Sequence, residues 1–228
     1  MTSIDIRPES KKQAETLVTS FFPQKIAEMD MLLKTSLSTE GLAALKAPLD
    51  IPIPDPAKEE AKQKKKEEVQ TFHPIQRPPC GPIPCNERVE SLLKEIKPQI
   101  QLLKEKLNTV SMWVQLQIPK IEDGNNFGVA VQEKVFELLT NTRTKIEEFQ
   151  TQISKYYSER GDAVAKASKQ PHVGDYRQLV HELDQYQYCE LRIVVLEIRN
   201  TYALLFDIIN KNYDKIKKPR GDCKALIY

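Results

Sequence analysis

The chain has 228 residues, room for one domain or two small ones, and its 34 basic and 32 acidic side chains leave a formal charge of +2. So even a balance argues against the one-signed field that holds nucleic acid. Seven glycines are few, and the fifteen prolines fall mostly between Pro48 and Pro84, so the remainder is poor in helix breakers, as long helices require.

Met1–Lys12 has no apolar run, so no secretory leader is expected there. Nowhere do eighteen apolar residues follow one another, so no membrane span is expected. The first helix is read over about 8–35, from Leu17, Val18, Phe21, Phe22, Ile26, Met29 and Leu33 at helical spacing. Pro23 inside it predicts a kink or break.

Lys46–Pro84 reads differently. Ala47–Pro56 holds four prolines and must be extended. Lys58–Glu68 is almost wholly lysine and glutamate, a mixed-sign solvated run rather than a nucleic-acid patch. The expectation is a flexible linker at about 46–85 with nothing to bury in a core. Cys80 and Cys85 within it lack C-x-x-C spacing. With Cys189 and Cys223 they read as free cytosolic thiols rather than metal ligands.

The second helix is read over about Asn86–Ile118. Val89, Leu93, Ile96, Ile100, Leu103, Leu107, Val110 and Val114 alternate four and three apart, a heptad seam. Asn86 is the expected N-cap, Pro98 an expected kink, and Pro119 the stop. The third helix runs from near Asn126 to about Lys169 on Val131, Val135, Leu138, Ile146, Phe149, Ile153 and Tyr156, with Gly161 as an interruption. The fourth runs from about Asp175 to Lys218. Its Ile193-Val194-Val195-Leu196 is apolar on every side, which calls for a cover on two faces. A second chain and a neighbouring helix are equal claimants for that cover.

The expected fold is all-α: a single domain, 1–228, forming an elongated up-down-up-down four-helix bundle. Antiparallel order puts the loop between helices two and three at the same end as the C-terminus.

That loop comprises Lys120, Ile121, Glu122, Asp123, Gly124, Asn125, Asn126, Phe127 and Gly128. As a connection it makes sense: Gly124 suits a positive φ, and Asn125 or Asn126 caps the next helix. Ile121 and Phe127 are left over. They could fold back onto the bundle or serve a partner. A calcium site is disfavoured, because the carboxylates miss the D-x-D-x-D-G spacing. The C-terminus ends in Ala225, Leu226, Ile227 and Tyr228 after Pro219 and Gly221. A basic stem with an apolar end and a carboxylate suits capture of a chain terminus in a pocket, a PDZ-type groove included. Cys223 is not fourth from the end, so prenylation is excluded. His73, His172 and His181 do not converge with a nucleophile, and no phosphate-cradling glycine loop is present. The chain therefore reads as a non-enzyme with no catalytic, metal or cofactor residues.

Gln115–Val135, centred on Pro119-Lys120-Ile121-Glu122-Asp123-Gly124-Asn125-Asn126-Phe127-Gly128, resembles the activation-loop region of the 11S proteasome activators, the REG family. Ser154–Ala163, Pro171–Glu182, Lys46–Asp50 and Cys80–Pro82 resemble that family too, so the likeness covers nearly the whole chain. Gln170–Tyr176 and the Ile227-Tyr228 ending favour its alpha subunit over beta or gamma. The Lys58–Glu68 run is shorter than in alpha members, and Leu226 stands where methionine is more usual, a volume-conserving swap.

The resemblance implies a heptameric ring of four-helix subunits, of this chain alone or with a beta-subunit homologue. It implies a cytoplasmic place, with the nucleus as a second. Such rings cap the 20S proteasome without ATP and feed peptide generation for antigen presentation. Ala225–Tyr228 would dock between alpha subunits of the proteasome ring. Lys120–Gly128 would open the gate, with Asp123 and Asn125 near the tip. No nucleic acid or membrane partner is implied.

Overall fold

The computed structural model describes residues 7–46, 48–58, 80–122 and 124–221. Asp123, Ala225–Tyr228 and all but the first residue of the Lys58–Glu68 run lie outside them, as do His73 and Cys223. The secondary structure of the described residues is helical, without strands. Its elements are α1 (Arg7–Thr16), a π turn (Leu17–Phe21), α2 (Phe22–Lys34), a 3-10 turn (Thr39–Leu45), α3 (Glu87–Gln117), α4 (Phe127–Lys169) and α5 (Gly174–Lys217).

The predicted break at Pro23 takes the form of a π turn rather than a gap. A proline ring clashes with the carbonyl four residues back, and widening the preceding turn relieves that clash. The Phe22 N–H accordingly reaches the Leu17 carbonyl, five residues back. α3 begins where Asn86 caps it: Asn86 Oδ1 accepts from the N–H groups of Arg88 at 3.1 Å and Val89 at 3.2 Å. The helix continues through Pro98. α4 continues through Gly161 without interruption.

The chain forms two compact units. One comprises Met1–Ser38, Leu93–Thr151 and Leu191–Tyr228; the other comprises Thr39–Leu92 and Gln152–Glu190. In the first, side-chain pairings fix the helix directions. Lys25 Nζ donates to Gln99 Oε1 at 3.1 Å, while Glu9 and Gln13 share a surface pocket with Asn108 and Met112. Numbers rising on one helix while falling on the other mean antiparallel packing. Likewise Glu15 receives the Tyr213 hydroxyl, Asp30 pairs with Arg199 at 3.0 Å, and Leu33 O accepts from Arg192 at 3.0 Å. The last of these also satisfies an orphan carbonyl at the end of α2, and Arg192 serves Leu37 O as well. Gln132 meets Gln117, and Glu147 meets Lys104 at 3.8 Å, so α4 runs against α3. This is the up-down-up-down order.

The core follows the α3 seam. All eight heptad positions from Val89 to Val114 are at most 4% exposed. The fit is looser on α4, where Leu139 is buried and Leu138 only half-buried. On α5, Val194 and Val195 are buried but Ile193 is 49% exposed. The described residues thus cover only one side of that apolar stretch.

In the second unit, Asp184 organises a buried polar cluster. Its carboxylate accepts from Arg160 Nε at 2.7 Å, the Tyr156 hydroxyl at 2.7 Å and Asn86 Nδ2 at 2.8 Å. Asn86 also donates to Leu45 O at 3.1 Å, and Arg160 to Pro84 O at 3.3 Å. The expectation that 46–85 has nothing to bury needs correction at its described flanks. Ile51 is 5% exposed, and its carbonyl accepts from Arg177 at 2.7 Å. An isoleucine in a proline-rich connecting segment can still be buried once a distant guanidinium satisfies its carbonyl.

Candidate partner-binding site

Residues 118–126 connect α3 to α4. Pro119 ends α3, and Gly124 has φ +143, a backbone conformation that L side chains rarely adopt. The Phe127 N–H lies 3.4 Å from Asn125 Oδ1, a local turn. The Asn126 carbonyl accepts from Ala130 at 2.9 Å, so Asn126 occupies the N-cap position. Its side-chain oxygen is engaged elsewhere, by Arg220.

The two apolar side chains of the loop do not fold back. Ile121 is fully exposed at 103% and Phe127 is 69% exposed. Lys215 Nζ stands 5.9 Å from the Phe127 ring centre. Ile121 is thus left in water on a tight turn, where a partner can reach it.

The residues after α5 lie against this loop. Arg220 Nη1 donates to Glu122 Oε2 at 3.0 Å; Nη2 lies 3.4 Å from Glu122 O and 3.3 Å from Asn126 Oδ1. A Cβ on Gly128 would overlap the backbone of Pro219. Only glycine permits that approach. Below it, the fully buried Gln132 donates from Nε2 to Gln117 O at 3.0 Å and to Ile216 O at 2.7 Å. One amide therefore serves orphan carbonyls at the ends of two helices.

Lys120–Gly128 was legible as a loop with leftover apolar groups, and helix order placed it with the C-terminus. Arg220, Pro219 and Gln132 were not legible as site residues. Gly128 offered a signal, since a glycine in a first helical turn costs helix propensity and calls for a steric reason.

Among the described residues, several titratable side chains have clear shifts with a structural cause. Burial, then the Lys46 charge, pushes the His181 imidazole toward its neutral form. Burial, followed by the hydrogen bond to Asp184, raises Tyr156; burial, followed by the bond to Glu15, raises Tyr213 to about 12. Both phenols stay protonated and serve as donors. No metal-holding group of His, Cys, Asp and Glu occurs among the described residues, and no described helix is long and apolar enough to cross a membrane. Cys80, Cys85 and Cys189 are free thiols.

Antiparallel helices that present an exposed apolar turn beside a terminal segment define a helical binding protein. The chain belongs to the PA28 proteasome activator family: "Proteasome activator PA28, N-terminal" matches residues 6–56, and "Proteasome activator PA28, C-terminal" matches residues 82–225. Members of this family are regulators rather than catalysts. The chain is 52% identical over 219 residues to proteasome activator complex subunit 2 of Homo sapiens, covering 95% of this chain and 90% of that one. It is 39% identical over 236 residues to subunit 3 of Gallus gallus, covering 97% and 93%. Among solved structures it resembles the 11S subunit of the Plasmodium falciparum proteasome, PA28, with TM-score 0.76, 26% identity and coverage of 94% and 91%. It also shares its fold with an archaeal 20S proteasome–PA26 complex, at TM-score 0.63, 11% identity and coverage of 96% and 92%.

Proposed function

We propose that this chain is the alpha-type subunit of a heptameric ring that caps the 20S proteasome and opens its gate to peptides without ATP. The observation that carries the reading is the fully exposed Ile121, on a turn beside the base of the C-terminal segment, in a member of the proteasome activator family. Ala225–Tyr228 docks between alpha subunits of the core particle, and Lys120–Gly128 acts on the gate. One short terminal segment binds weakly, whereas seven on one ring raise one another's local concentration, by about 10²–10⁴ in avidity. The ring forms from this chain alone or with a beta-type homologue. Ile193 and Leu204, eleven residues apart on one face of α5 and 49% and 46% exposed, suit a subunit contact. The chain acts as one domain, 1–228, with its linker at about 46–85. It works in the cytoplasm, and in the nucleus as a second compartment.

The test is peptide hydrolysis by purified 20S proteasome. Asn125 replaced by a bulky residue is expected to leave ring mass and core binding intact and to abolish stimulation; full stimulation by that variant removes the loop from the reading. Deleting Leu226–Tyr228 is expected to abolish binding, and unchanged binding places docking elsewhere. A particle that stays monomeric or dimeric at high concentration overturns the ring.

A further inference from the structure

We infer that Arg220 is a positioning residue that staples the loop to the base of the C-terminal segment, so that docking of the segment sets where the loop tip stands. The inference rests on the proposed activator reading and extends it by coupling two parts treated above as separate.

The geometry is specific. The acceptors of Arg220 are Glu122 and Asn126, on either side of residues 123–125. A single guanidinium therefore grips both flanks of the tip. The planar fork of arginine can serve acceptors on two residues at once, whereas a lysine ammonium acts as a point charge. Behind the staple the two segments meet backbone to backbone, with Gly128 against Pro219. Behind that, buried Gln132 joins the ends of α3 and α5. The base is thus fixed, while Arg220 and Glu122, with side chains 26% and 63% exposed, stand partly in water. An ion pair so exposed adds little to folding. Its consequence is geometric: a displacement of the Arg220 guanidinium is passed to both flanks of the tip.

The experiment titrates full-length rings into 20S proteasome and reads two quantities from peptide hydrolysis, the midpoint and the plateau. Arg220→Ala is expected to lower the plateau about three- to fivefold with the midpoint unchanged, on the scale of one exposed ion pair. Arg220→Lys is expected to recover only part of it. Arg220→Ala combined with Glu122→Ala is expected to be no worse than the more damaging single change. Native mass and melting temperature, measured alongside, are expected to stay at wild-type values. If Arg220→Ala rings do not assemble, Arg220→Lys carries the test on the same two readouts. A wild-type plateau in the variants, or a shifted midpoint at full plateau, overturns the staple and leaves the activator reading standing. A wild-type ring that fails to stimulate overturns both.

Discussion

Two arginine–carboxylate pairs in this chain do opposite jobs. Arg160 and Asp184 have side chains only 8% and 3% exposed; Tyr156 and Asn86 donate to Asp184, and Arg160 donates to the Pro84 carbonyl. Arg220 and Glu122 have a similar partner chemistry but stand partly in water, with side chains 26% and 63% exposed. A desolvated pair is costly to break, because removing one partner strands a buried charge. A hydrated pair is cheap to break and so contributes orientation rather than stability. The first cluster holds both flanks of residues 46–85, at Leu45 and Pro84, to the helices of its unit. The second pair leaves a loop adjustable.

This contrast can be broken experimentally, beginning where the effect is greatest. Asp184→Ala leaves Arg160 buried and unpaired, so chemical denaturation should show a loss of about 3–5 kcal/mol. A loss below about 1 kcal/mol would mean that water enters the cluster and that it is no different from a surface pair. Gly128→Ala drives a methyl group into the Pro219 backbone. The cost should be about 1–3 kcal/mol, typical of overpacking. Arg220→Ala should change the denaturation free energy by less than about 1 kcal/mol, despite its effect on the stimulated plateau.

The smallest effect concerns pH. The folded state lowers the His181 pKa from its ordinary value, chiefly by burial and then by Lys46. The unfolded chain therefore takes up this proton first as pH falls. The contribution of His181 is fully present above the unfolded value near 6.5 and is lost as pH drops toward the folded one. His181→Gln should flatten the melting-temperature profile between neutral and mildly acidic pH; an unchanged slope would remove His181 as its source.

Much of the fold was legible because local rules dominate long helices. The α3 seam could be read position by position, since a four-three repeat admits only one buried face. The Asn86 cap followed from its side chain ahead of an apolar repeat. Pro23 announced a disruption but not its kind, because whether a helix breaks or widens depends on what holds the next turn. Here Phe22 and Met29 are each 1% exposed, and that packing keeps the chain helical past the proline. The site was half legible: the loop and its surplus Ile121 could be seen, but whether Ile121 folds back could not.

By itself, then, the sequence determined the helices, their order and the interhelical loop, which rest on spacing between near neighbours in the chain. The family likeness rested on the resemblance of whole segments such as Gln115–Val135. Tertiary structure alone decided which polar groups meet. Asp184 finds Asn86 98 residues away, Arg220 finds Glu122 98 residues away, and Ile51 is buried under Arg177. Such pairings leave no periodic trace, because a buried polar group takes any partner that the packed backbone brings within hydrogen-bond reach.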